Sequence, residues 1–286
     1  MKTWFITGCS SGFGRHLAEE VLARGHQVVV TARNVNRCTP LVEGVGSRAL
    51  VLPLDVTDHA QAGTAVAAAH EAFGGIDVLV NNAGIGYFGA VEESAEAEVR
   101  RMFEINVFGL CHLTRAVLPG MRARRTGTIV NFSTIGGLRS FPCLGYYNAT
   151  KFAVEGLSEA LWQEVEPLGL RVLIVEPGPF RTDWAGRSAE QTPPTDEIAD
   201  YANTAGTQRA ALRTNAGREP GDPRRAAAAI ASTVEARNPP HRLLLGGTAY
   251  EMAMHKLDEL RAEFTNWEPL TRSADFPVDD QSLIHL

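Results

Sequence analysis

Short, almost wholly apolar runs alternate with longer, Ala-rich amphipathic segments along most of the chain. The runs fall at residues 4–7, 27–32, 49–54, 76–80, 127–132, 170–175 and 242–245. A half-exposed strand would alternate apolar with polar residues. Continuous apolar runs of this length instead suit strands of a parallel sheet covered on both faces. Helical periodicity is read at 12–24, 58–73, 96–124, 147–168 and 223–236. The last of these has Asp222 as an N-cap and Pro223 in its first turn, a good start signal. Strand–helix alternation at this spacing implies right-handed βαβ units. The expected class is therefore α/β, an open, doubly wound, mostly parallel seven-stranded sheet with helices on both faces.

Two segments break the rhythm. Residues 184–221 are rich in Pro, Thr, Gly, Ala and Asn and carry little strand signal. A segment of that kind reads as a lid over a substrate or as a disordered loop. The expectation is one domain over 1–250, followed by a C-terminal helix and an irregular tail over 251–286. The irregular part is read from residue 265 and holds Trp267, Pro269, Pro277 and Asp279-Asp280.

Composition narrows the function. A chain of 286 residues buries most of its unfolded surface without disulfides or metals. Acidic residues number 33 against 27 basic, a net charge of −6, which argues against a nucleic-acid partner. Cys9, Cys38, Cys111 and Cys143 are scattered without a Cys-x-x-Cys pair, so neither a metal site nor a disulfide framework is expected. Trp4-Phe5-Ile6 is too short for a signal-peptide core, and no apolar stretch reaches the length of a membrane span. The reading is a soluble, cytoplasmic protein with no membrane partner. Its positive charge is almost entirely arginine, since the lysines are Lys2, Lys151 and Lys256 alone.

Directly after the first apolar run comes Thr7-Gly8-Cys9-Ser10-Ser11-Gly12-Phe13-Gly14, opening the first helix. Glycines between a strand and a helix allow a tight turn and a close approach of backbone to a pyrophosphate, held at the positive end of the helix. In such sites an acid at the end of the second strand binds the adenosine ribose, and an arginine accommodates a 2′-phosphate. Here that strand ends Val30-Thr31-Ala32-Arg33. Arg33 therefore points to NADP(H) as the preferred cofactor, with NAD(H) also possible.

The spacing Thr-Gly-x-x-x-Gly-x-Gly resembles the short-chain dehydrogenase/reductase family, in its hydroxysteroid- and retinol-dehydrogenase-like branch. Asn81-Asn82-Ala83-Gly84, Asn106-Val107-Phe108-Gly109, Tyr147-x-x-x-Lys151 and Pro177-Gly178-x-x-x-Thr182 continue the resemblance. It covers residues 3–183 strongly and 222–248 as architecture. It implies a Rossmann-type domain, cofactor contacts from Asp55 and Val56 to adenine, and further contacts from Asn82, Ala83, Gly84, Pro177, Gly178, Phe180 and Thr182. One departure is Ser11, which stands where NADP-preferring relatives often carry a basic residue.

Tyr147 and Lys151 lie one turn apart on one helix face. A free phenol titrates near 10, and a nearby ammonium favours its anion, so the pair suits proton transfer to a carbonyl oxygen. The resemblance gives Lys151 a second contact, to the nicotinamide ribose. It also places a hydroxyl thirteen residues before the tyrosine, where this chain has Thr134. Ser133 is the alternative, although alternation along a strand sends the two side chains to opposite sides. Asn106 is similar to the residue that bends its helix and holds a water linking the lysine to solvent.

Ile85, Tyr87, Phe88, Phe141, Pro142, Leu144, Tyr146, Phe180 and Trp184 are expected around the substrate, a mainly apolar set. They suggest an uncharged, fairly bulky carbonyl or secondary alcohol, with Arg139 and Arg181 the cationic candidates nearby. Two other readings compete. A sugar-nucleotide epimerase or dehydratase would carry Thr-Gly-x-x-Gly-x-x-Gly, unlike this loop. A catalytically silent NADP(H)-binding sensor or scaffold would generally lack the tyrosine or the lysine. The resemblance further implies a homodimer or homotetramer, paired through the helices at 96–124 and 147–168.

Overall fold

Residues 1–186 and 188–276 are described by a computed structural model. The strands are β1 (Thr3–Ile6), β2 (Gln27–Ala32), β3 (Ala49–Pro53), β4 (Val78–Asn81), β5 (Gly86–Phe88), β6 (Gly127–Phe132), β7 (Leu170–Pro177), β8 (Ala189–Gln191) and β9 (Arg242–Leu245). The helices of the first half are α1 (Gly12–Ala23), the one-turn α2 (Thr39–Val42), α3 (His59–Phe73), α4 (Glu96–Phe103) and α5 (Leu110–Arg124). Those of the second half are α6 (Gly145–Val165), α7 (Thr207–Asn215), α8 (Pro223–Glu235), α9 (Gly247–Asn266) and α10 (Glu268–Arg272).

Seven strands form one parallel sheet in the order β3-β2-β1-β4-β6-β7-β9. The packing shows why the apolar runs of these strands are continuous. Trp4, Ile6, Val28, Val30, Val78 and Val80 pack with Leu17 and Val21 of α1 and Ile230 and Val234 of α8. Their neighbours Phe5, Val29, Leu79 and Ile129 face the other way, onto Val66 of α3 and Val117 and Met121 of α5. Each successive side chain thus meets a helix layer, which a parallel sheet with crossovers on both faces requires. The strand order reverses direction between β1 and β4, and at such a switch point a crevice opens beyond the carboxyl ends of the strands.

Local signals start the helices. Asp58 accepts hydrogen bonds from the Ala60 and Gln61 amides ahead of α3, and Asp222 accepts from the Arg224 amide ahead of α8. The helix expected over 96–124 is interrupted, because residues 104–109 form a π-helical turn between α4 and α5. That turn sits where Asn106 ties back to the chain after β4 and where Gly109 packs against Val56.

The segment 184–221 is built rather than open. β8 pairs in parallel with β5 as a small second sheet, 3₁₀ and π turns follow, and α7 closes the segment. The tail also differs from expectation. α9 continues past residue 265 to Asn266 and α10 follows it, so the irregular region starts later than the sequence suggested. Pro277 and Asp279-Asp280 lie outside the described residues.

Candidate active site

The glycine loop leaves β1 at the switch point. Gly12 has φ +58°, a left-handed conformation that costs L side chains free energy and glycine very little. A Cβ on Gly14 would stand 2.5 Å from Asn82 Nδ2 and 2.6 Å from the Gly8 carbonyl, so the loop closes against the chain after β4 only with glycine there. Asn82 donates its side-chain amide to the Thr7 and Gly8 carbonyls at 2.8 and 3.2 Å. Thr7 Oγ1 in turn accepts the Asn82 and Ala83 amides. Asn82 and Gly14 therefore set the shape of the loop. Ser11 is the N-cap of α1 but makes no side-chain capping bond, which leaves the first-turn N–H groups directed at the cleft.

A cleft of about 690 Å³ runs from this loop across the sheet edge. Gly8, Ser10, Ser11, Gly12, Phe13, Arg33, Asp55, Val56, Asn82, Ala83, Gly84, Pro177, Gly178, Phe180 and Thr182 all line it. Gly14 does not, being packed behind the loop. Arg37, unremarked in the sequence, lines the cleft together with Arg33, and both are exposed. The Asp55 carboxylate is held by the Thr57 amide and hydroxyl at 3.0 and 2.7 Å. Phe13 packs between Phe132 and Phe180 at tilted angles, with ring centroids 5.5 and 5.1 Å away. The cradle, its length and its phosphate-facing helix terminus fit a dinucleotide.

Tyr147, Lys151, Ser133 and Thr134 meet on the wall of the same cleft. Lys151 Nζ donates to the Phe132 carbonyl at 2.8 Å and lies 5.8 Å from the Tyr147 ring centroid. Burial lowers the Lys151 ammonium to about 8, opposed by the negative charge of Glu155. Burial also pushes the Tyr147 phenol above its ordinary range. In the chain by itself, burial prevails over the lowering that a nearby ammonium brings. Thr134 Oγ1 donates to the Pro177 carbonyl at 3.0 Å, whereas the buried Ser133 Oγ has no hydrogen-bond partner among the described residues.

Asn106 does not line the cleft. Its amide accepts from Ile85 N and donates to Ile85 O, both at 2.9 Å, and donates to Thr150 Oγ1 at 3.1 Å. A Cβ on Gly84 would meet Asn106 Oδ1 at 3.2 Å and Lys151 Nζ at 3.8 Å, so the asparagine stands close behind the lysine. It locks the loop after β4 to α6.

On the substrate side Phe141, Leu144 and Trp184 line the cleft, and the Trp184 ring lies 4.9 Å from that of Tyr147. Tyr87 and Tyr146, expected there, do not line it. The Tyr87 hydroxyl is turned to Thr192 Oγ1 at 3.2 Å, because β5 pairs with β8 on that side. Tyr146, partly buried, packs against the apolar cluster that holds Tyr87, Phe88 and Leu144. The sequence reading missed α7, whose Gln208, Ala211, Leu212 and Asn215 form part of the wall. Their spacing is i, i+3, i+4, i+7, one helix face, and that was the available signal. Met252 of α9 was missed as well.

Residues 2–193 match the family described as short chain dehydrogenase. The chain belongs to the short-chain dehydrogenase family. It is 39% identical over 271 residues to oxidoreductase BOA17 of Botryotinia fuckeliana, covering 94% of this chain and 98% of that one. It is 39% identical over 242 residues to a 3-ketodihydrosphingosine reductase of Bacteroides thetaiotaomicron, covering 84% and 86%. A solved short-chain dehydrogenase of Streptomyces avermitilis superposes with a TM-score of 0.89 at 44% identity, covering 96% of this chain and 100% of that one. Other solved short-chain dehydrogenases similar to it hold NAD or NADP. This family member is an oxidoreductase.

Proposed function

We propose that this short-chain dehydrogenase is an NADP(H)-dependent carbonyl reductase or alcohol dehydrogenase acting on a fairly bulky apolar substrate, with Tyr147 as its acid and base. The observation that carries the reading is that Tyr147, Lys151 and Thr134 meet in the same cleft as the glycine loop. Bound in that cleft, a dihydronicotinamide supplies the hydride. Tyr147 donates its proton to the substrate oxygen, and burial keeps the phenol protonated for that purpose. The Lys151 ammonium, charged at neutral pH, stabilises the phenolate left behind. Thr134 Oγ1 exchanges its bond to the Pro177 carbonyl for one to the substrate oxygen. Asn106 holds the turn beside Lys151, from which a bound water resupplies the proton.

The apolar wall of Phe141, Leu144, Trp184, Ala211, Leu212 and Met252 supports an uncharged substrate of some bulk. The similarity to a 3-ketodihydrosphingosine reductase is consistent with a ketone of some bulk. Arg33 directly after β2 and Arg37 in the turn that follows, in a stretch of sequence without Asp or Glu, support NADP(H) through pairing with a 2′-phosphate.

The test is consumption of the reduced cofactor with a panel of alicyclic, aromatic and long-chain ketones. Turnover with NADPH and a bulky ketone is expected, and R33A should lose about tenfold or more in kcat/KM for NADPH while changing little with NADH. Equal use of NADPH and NADH by the wild type would overturn the cofactor assignment. Absence of turnover on every ketone would favour a silent cofactor-binding protein.

A further inference from the structure

One turn of α6 beyond Lys151, and not lining the cleft, lies a pair of buried acids that the reaction as described does not use. Glu155 follows Lys151 by one turn of α6, and Glu176 sits near the end of β7; both side chains are almost fully buried. Arg242 at the start of β9 reaches them with a forked guanidinium. Its Nη1 pairs with Glu155 Oε2 and, at 2.8 Å, with Glu176 Oε1, and its Nη2 pairs with the exposed Glu159 at 2.8 Å. Glu155 Oε1, in contrast, has no hydrogen-bond partner among the described residues. It lies with the equally unpartnered Ser133 Oγ over Gly137, where a Cβ would stand 2.9 and 2.4 Å from them. One oxygen of Glu155 is therefore seated on arginine, and the other is left bare in the interior.

The geometry points to Glu155 as a positioning residue for Lys151: its carboxylate, seated by Arg242 and flanked by Glu176, is the counter-charge that keeps the buried ammonium protonated beside Tyr147. This rests on the hydride-transfer reading, in which Lys151 acts as a cation. A lone buried ammonium would lose its proton, since burial disfavours the charged form, and an opposite charge nearby restores it. The titratable and charged groups facing Glu155 are Lys151 and Glu159 on α6, Glu176 on β7 and Arg242 on β9. Burial and the charge of Glu155 push Glu176 up to about 7, against the pull of Arg242.

Because the chain has three lysines, Lys2, Lys151 and Lys256, protein labelled with ¹³C at lysine Cε gives three signals, and K151R identifies the one of interest. Its titration is followed without any turnover. In wild type the midpoint is expected near the value of about 8 that burial imposes. Removing the Glu155 charge lowers it, so E155Q should shift the midpoint down by about one pH unit. The alkaline limb of kcat/KM for ketone reduction should move with it. E155D, which keeps the charge, should stay closer to wild type, and E159Q should not move the midpoint. E155M carries the same expectation as E155Q and serves if E155Q does not fold. A midpoint unmoved in both charge-removing variants overturns the inference even where turnover persists. A midpoint that shifts in a protein with no ketone turnover supports it and counts against the hydride-transfer reading instead.

Discussion

At the carboxyl end of β6 two hydroxyls one residue apart have different surroundings. Ser133 Oγ is sealed against Gly137 and Glu155, while Thr134 Oγ1 holds the Pro177 carbonyl. Alternation along the strand produces the split, since successive side chains leave on opposite sides. Only the hydroxyl of Thr134 has a labile bond that a substrate carbonyl can replace. T134V should therefore lower kcat by about 10²-fold, the usual cost of one donor to a developing oxyanion, while S133A stays near wild type. Steady-state kinetics on one ketone check this, and a normal rate in T134V would exclude Thr134 from the chemistry. The spacing of thirteen residues before Tyr147 carried this assignment. The bare Glu155 oxygen behind Lys151 was not legible, because Glu155 and Arg242 lie 87 positions apart and meet only through the pairing of β7 with β9.

α7 is the element that most changes the picture of the site. Its buried Arg209 pairs with Glu93 at 3.2 Å and with Glu197 at 2.8 Å. Glu93 also accepts the Ala90 and Ile198 amides at 3.0 and 2.9 Å. Burial works to raise the Glu93 carboxyl, but those amides and the guanidinium prevail and hold it below the usual carboxylate range. Its contribution is accordingly present above the ordinary carboxylate range and lost only as acid protonates Glu93 in the folded state. Removing one partner of a buried pair leaves the other charge uncompensated, at about 3 kcal/mol. E93A should thus detach α7 from the wall, raise KM for a bulky ketone more than it lowers kcat, and expose residues 184–221 to protease. Protection equal to wild type would show that the clamp does not hold the segment. Composition concealed this element: the signal on 207–215 is a single face of Gln, Ala, Leu and Asn, and its anchor is an arginine, which is rarely buried.

Across the whole molecule the seven strands were legible because the central ones are buried on both faces and the edge strands β3 and β9 are still largely covered, which keeps their runs mainly apolar. The three-residue strands β5 and β8 were not, since each is too short for a period to show. Their pairing turns Tyr87 away from the cleft and toward Thr192. The break in the helix over 96–124 escaped for a related reason. A π turn preserves the apolar face on either side and is set by the Asn106 contacts to Ile85, which no local pattern encodes. The Tyr147–Lys151 pair stood out in the sequence because the chain is so poor in lysine. All seven strands point their carboxyl ends the same way, and the glycine loop, Thr134 and Pro177 follow β1, β6 and β7 into one crevice. On the function proposed here, Tyr147 in this crevice donates the proton that accompanies hydride transfer. Single-turnover reduction of a bulky ketone by NADPH-loaded protein, wild type against Y147F, is the decisive comparison. A loss of about 10²-fold or more with NADPH affinity unchanged is predicted, and equal rates in the two proteins would contradict it.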